Sequence, residues 1–140
     1  MPLYGDGRQI RDWLSVEDHC AGIEFVLHEG APGEIYNVGG GDEHENIDVA
    51  GRIIELAGAD RSLLLRVPDR PGHDRRYALH CEKMEKDLGW KPVIPLEEGL
   101  LQTIAWYKKN SEWLAGVRGG DYRSYYAKYY ENRDLSLHGI

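Results

Sequence analysis

Cysteine is scarce in this chain. Cys20 and Cys81 are the only two among 140 residues, with no CxxC pair and no His/Cys spacing of a metal site. A disulfide-framed secreted domain is therefore not expected, and a reduced, cytosolic setting is. Long apolar runs are also missing, and the opening MPLYGDGRQI has neither the charged nor the apolar region of a signal peptide. Neither a membrane span nor a secretory leader is expected. Positive charge is in deficit: 17 Lys and Arg against 24 Asp and Glu leave a formal charge of −7. A general nucleic-acid binder would carry a basic face. Any phosphate recognised here should be a small one, met by a local cluster.

That cluster is present. VPDRPGHDRRYALH, residues 67 to 80, gathers Arg70, His73, Arg75 and Arg76 around a Pro-Gly turn. One explanation is a solvated turn whose charges pair with acidic neighbours. The other is an anion pocket, since the planar guanidinium fork suits phosphate oxygens. Around it the chain alternates between elements without internal repeats, as one domain of ordinary size. Ser15 and Asp18 read as a capping box opening a helix with Val16, Cys20, Ile23 and Leu27 on one face and Gly30 past its end. EIYNV (34 to 38) reads as a buried strand leaving through Gly39, Gly40 and Gly41. Asn46 reads as the N-cap of a second helix with Ile47, Ala50, Ile54 and Ala57 inside. SLLLRV reads as a strand and RYALH as an extended segment, CEKMEKDL as a short helix closing at Gly89, and Pro95 as the first turn of a longer helix through Trp106. The expected class is mixed α/β (α+β), with short strands and about five helices. Residues 1–118 read as the domain and 119–140 as a polar, tyrosine-rich tail, partly ordered.

Two catalytic signatures are lacking. No glycines form GxGxxG or GxxGxxG, the spacing that lets backbone amides reach a pyrophosphate. No lysine has a tyrosine four residues before it, so the phenol–ammonium pair of short-chain dehydrogenases is absent too. What remains suits the holding of an anion. Arg11, beside Asp12 and Trp13, is either a ligand or a structural salt bridge. Asn46 is a plain cap or part of an anion-attracting helix start. His73 is a loop residue or a ligand, and Asp18 and His19 read as capping and surface groups. Tyr125-Tyr126 and Tyr129-Tyr130, paired at helical spacing, read as packing more than base stacking.

Order and combination carry further. PLYGDGRQIRDWLSVEDH, GEIYNVGGGDEHENIDV, VPDRPGHDRRYALH and LGWKPVIPLEEGLLQTIAWY, with GDYRSY near the tail, resemble the C-terminal portion of the dTDP-glucose 4,6-dehydratases, which are extended short-chain dehydrogenase/reductases. RDWL-VEDH and YNVGG are shared in looser form with other nucleotide-sugar epimerases and dehydratases, whereas DRPGHDRRYA is much more specific to the thymidine-diphosphate sugar branch. By position, the resemblance implies that Pro2, Leu3 and Tyr4 line the thymidine end. Arg11 and Asn46 would face the diphosphate or ribose. Asp69, Arg70, Pro71, Gly72 and His73 would close over the nucleotide, with Tyr122 contributing from the tail. Arg75 and Arg76 are weaker candidates.

The family holds NAD, oxidises the glucose at C4, eliminates water across C5 and C6, and returns the hydride to C6. Its NAD fingerprint, tyrosine-lysine pair and acid/base carboxylates lie upstream of the part matched here. The expectation is therefore a substrate-binding domain without the N-terminal Rossmann domain, binding a dTDP-sugar but not NAD, and inactive alone. One half of a split dehydratase or epimerase, and a non-catalytic nucleotide-sugar binding module, are the alternatives. Helix 15 to 29, shaped to pack beside the absent domain, should leave an apolar patch through which the chain self-associates.

Overall fold

A computed structural model describes residues 1–119 and 121–128, with 121–123 described by backbone alone. Strand β1 (Pro2–Tyr4) pairs in parallel with β4 (Leu65–Val67), Tyr4 opposite Val67. A second sheet has the order β3-β2-β5, in which β2 (Ile10–Asp12) runs antiparallel to β3 (Glu43–Glu45) and parallel to β5 (Arg76–Tyr77). Among the described residues there are six α-helices: α1 (Val16–Glu29), α2 (Asn46–Ala57), α3 (Glu82–Leu88), α4 (Leu96–Lys109), α5 (Ser111–Val117) and α6 (Asp121–Tyr126). The mixed α/β class is as expected, with one helix more than the pattern indicated. None of them is long and apolar enough to cross a membrane.

The core is small. Leu3 of β1, Val49, Ala50 and Ile54 of α2, Met84 of α3 and Trp90 are its buried apolar residues. On α2, Ala50 and Ile54 are buried as the periodicity indicated, Ile47 and Ala57 are only half-buried, and Val49 is buried in addition. Left-handed Gly58 and Gly89 end α2 and α3 by accepting backbone conformations that other residues resist. Arg52 ties α2 to α4 through Glu97, and Trp106 of α4 meets Trp113 of α5 edge to face at 5.1 Å.

Four local expectations need correcting. Asp18 does not complete a capping box: Ser15 accepts from the Glu17 amide, while Asp18, only 4 % exposed, accepts from the amides of Val93 and Ile94 at 3.1 and 2.8 Å. Its carboxylate thereby satisfies two donors of the chain entering α4. Asn46 is the first residue of α2 and not its cap; Glu45 holds the cap position without a side-chain bond. Pro95 likewise stands at the cap position of α4, just ahead of its first turn. The segment Glu34–Val38 is no strand, because its backbone meets side chains in place of a ladder: Lys83 donates to the Ile35 carbonyl at 3.0 Å and holds Glu34.

Helix α1 is turned opposite to its apolar stripe. Val16, Cys20, Ile23 and Leu27 face solvent, Leu27 at 77 % exposure, and Ile35 beyond the helix reaches 82 %. The buried positions are instead Asp18 and Gly22. Gly22 is required there, since a Cβ would stand 2.7 Å from Val38 and 2.9 Å from the Trp90 ring. The apolar patch expected on this helix is thus present.

Candidate functional site

The loop from Pro68 to Arg75 is positioned by the two sheets it joins. Tyr4 and Val67 end their paired strands together, and the Gly5 amide continues the ladder to the Val67 carbonyl at 2.9 Å. At the loop's other end, Arg76 enters β5 beside Ile10, and the Ile10 amide donates to the Arg75 carbonyl at 2.8 Å. Residues 2–5, 9–11 and 68–76 are therefore neighbours by hydrogen-bonded register. Asn46 joins them: its amide donates to the Gln9 carbonyl at 3.0 Å.

Asp69 sits at the centre. One carboxylate oxygen accepts from His73 Nδ1 at 2.6 Å and from the Arg70 amide at 2.9 Å, and the other accepts from Gln9 Nε2 at 3.1 Å. The His73 bond first, and the Arg70 amide after it, hold the Asp69 carboxyl below its ordinary range. The carboxylate lies so close over Gly5 that a Cβ there would be 2.9 Å from it, and Gly5 has φ +56. A side chain at position 5 would be strained on both counts. The His73 side chain is 6 % exposed and packs edge to face on Tyr4, with ring centroids 5.8 Å apart. Pro71 and Gly72 form the exposed tip, Gly72 at φ +67.

The arginines divide. Arg75 donates to both carboxylate oxygens of Asp6 at 2.9 and 3.0 Å, and Arg76 grips Glu43 with two bonds of 2.6 Å. The Arg8 amide first and the Arg75 pairing second lower Asp6, while Arg76 lowers Glu43 and is itself raised. Arg11 donates to the carbonyls of Ile10 and Asp74 at 2.6 and 3.0 Å, bracing the loop. Arg70 is exposed, and its guanidinium has no hydrogen-bond or ion-pair partner among the described residues. Pro2 is half-buried, whereas the Leu3 side chain lies in the core against Gly7. The side chain of Tyr122 and residues 129–140 lie outside the described residues.

Sequence reasoning missed the roles of Gln9 and Asp12, although both lie in the PLYGDGRQIRDWLSVEDH stretch. The Asp12 carboxylate accepts from the amides of Gly40 and Asp42, both at 3.0 Å, so it fills the triple-glycine turn. The cavities lie elsewhere. One of about 910 Å³ is lined by Trp13, Ile53, Val93, Ile94 and Trp106, and one of about 430 Å³ by Asp12, Val38 and Tyr77. Neither includes the Asp69–His73 loop, which presents an open face. No group of three or more His, Cys, Asp or Glu among the described residues is placed to hold a metal ion.

Comparison with known proteins identifies the scaffold. The family model of GDP-mannose 4,6 dehydratase matches residues 1–103. The chain belongs to the GDP-mannose 4,6 dehydratase family. Within that family it is 47 % identical over 132 residues to the dTDP-glucose 4,6-dehydratase of Xanthomonas campestris pv. campestris, an alignment covering 88 % of this chain and 38 % of the relative. Two solved dTDP-glucose 4,6-dehydratases superpose on it. The one from Bacillus anthracis, in complex with NAD, has 50 % identity and TM-score 0.74 over 80 % of this chain and 35 % of its own. The one from Streptomyces venezuelae, with NAD and TYD bound, has 45 % identity and TM-score 0.76 over 81 % of this chain and 35 % of its own. The chain thus spans a little over a third of the length of these family members.

Proposed function

We propose that this chain supplies the nucleotide-binding side of a dTDP-glucose 4,6-dehydratase, acting on dTDP-glucose to give dTDP-4-keto-6-deoxyglucose and water. The observation that carries the reading is the division among the arginines. Arg11, Arg75 and Arg76 are spent on the protein, and Arg70, at an exposed Pro-Gly turn, has no partner among the described residues. A diphosphate calls for charge-assisted donors of that kind. Tyr4, held against His73, offers a flat face to the base. Pro2, Asn46 and Asp69 shape the surroundings, and Leu3 acts as the floor beneath them. Relatives solved with NAD and TYD support the same reading.

The residues of this chain do not fit NAD themselves. The triple-glycine turn is not free to cradle a pyrophosphate, because Asp12 already takes the Gly40 and Asp42 amides. The role we assign is binding and orientation of the nucleotide, with the redox steps belonging to a Rossmann domain that covers the apolar side of α1. Alone, the chain binds dTDP and dehydrates nothing.

Calorimetric titration of the chain with dTDP, dTDP-glucose, UDP-glucose and NAD tests this. Saturable heat with the two thymidine nucleotides and none with NAD is expected. No heat with any nucleotide, or formation of the 4-keto-6-deoxy sugar by the purified chain, would overturn the reading.

A further inference from the structure

Gln9 is 2 % exposed and was not singled out in the sequence, yet it bonds to two other segments of the candidate site. Its side-chain Nε2 donates to Asp69, which fixes His73; its main-chain carbonyl receives the Asn46 amide, at the start of α2. Three stretches far apart in sequence meet on this one residue.

Stability does not account for it. The second side-chain atom, Oε1, is buried and has no hydrogen-bond partner among the described residues. Burying an unpaired carbonyl costs free energy, and an apolar side chain of the same length would escape that cost. Asp69 would not be stranded by the loss, because its side chain is 45 % exposed and water can reach it. The main-chain bond to Asn46 is available to any residue. What only the amide provides is a directed N–H toward Asp69 Oδ2. With that oxygen engaged, the carboxylate plane is set and its other oxygen is aimed at His73 Nδ1.

We infer that Gln9 is a positioning residue: through Asp69 it holds His73 with the proton on Nδ1 and its ring against Tyr4, so that the loop is preformed for a nucleoside diphosphate. This rests on the nucleotide reading above, and it adds a residue that makes no contact with the ligand. Preforming a loop raises affinity by removing the ordering cost from the binding step.

Gln9→Met in the 140-residue chain is the test, since methionine keeps length and volume and discards both polar atoms. Three quantities are read: the melting midpoint, the dTDP dissociation constant, and the protonation of the His73 ring nitrogens by long-range proton–nitrogen NMR. The midpoint should stay within about two degrees of the parent or rise, because the orphan carbonyl is gone. The dissociation constant should grow by about ten-fold or more, the size of one lost hydrogen bond to a charged group. His73 should carry its proton on Nδ1 in the parent chain and on a mixture of the two nitrogens in the variant. Unchanged affinity together with unchanged tautomer would refute the inference, as would a large fall in midpoint at unchanged affinity, which is what a structural role predicts. Should the variant not fold, the parent chain decides: His73 protonated on Nε2 alone refutes the relay. If the parent binds no dTDP, the nucleotide reading fails, and the tautomer comparison still judges the role of Gln9.

Discussion

Arg70, Arg75 and Arg76 share one loop yet end in different physical situations. The last two are held by Asp6 and Glu43, as exposed ion pairs whose worth is small in water. Arg70 has no partner to lose among the described residues, so its removal should be felt by the ligand alone. Arg70→Ala should weaken dTDP binding by roughly ten-fold, about 1.4 kcal/mol, with the melting midpoint unmoved. Arg70→Lys should restore part of this, keeping the charge without the bidentate fork. Arg76→Ala should do the reverse, lowering the midpoint slightly at unchanged affinity. Parallel titrations and melts of the three variants check the assignment, and a stability loss in Arg70→Ala would contradict it. The cluster itself was legible in the sequence. Which of its members was free was not, because Asp6 and Glu43 lie 69 and 33 positions away from their partners.

Helix α1 shows how an element can be recognised while its orientation is misread. Its bounds, its Ser15 cap and its stop at Gly30 follow from local chemistry. Its buried side does not follow from the hydrophobic stripe, because two other interactions set it. Gly22 permits close approach of Trp90 and Val38, and Asp18 is drawn in by the amides of Val93 and Ile94. A buried carboxylate that serves two backbone donors is costly to delete, since both amides are then left without a partner. Asp18→Ala should lower stability by about 1–3 kcal/mol, read as a shift of the urea midpoint, and Asp18→Asn should recover much of it by keeping one acceptor oxygen. No change in midpoint for Asp18→Ala would mean that this bond does not anchor α1 to the chain entering α4.

At the scale of the whole molecule, the outward stripe of α1 and exposed Ile35 form an apolar surface on a chain with a small core. Self-association through this face is expected at high protein concentration. Sedimentation across a concentration series should show it, and Leu27→Lys together with Ile23→Lys should reduce it without loss of stability, because neither side chain is buried. A parent chain that remains monomeric at the highest concentration would count against the idea.

What the sequence determined by itself was part of what depends on neighbours along the chain: the places of α1 to α4, the stops at Gly30 and Gly89, the Pro-Gly turn, and the order of motifs that marks the family. These are set by backbone geometry and short-range hydrogen bonding, which a few residues decide together. Tertiary structure alone decided the rest. It brought Gln9 to Asp69 across 60 positions and His73 against Tyr4, filled the glycine turn with Asp12, and left Glu34–Val38 without a ladder. Each of these depends on which distant partner reaches a polar group first, and local pattern carries no record of that competition.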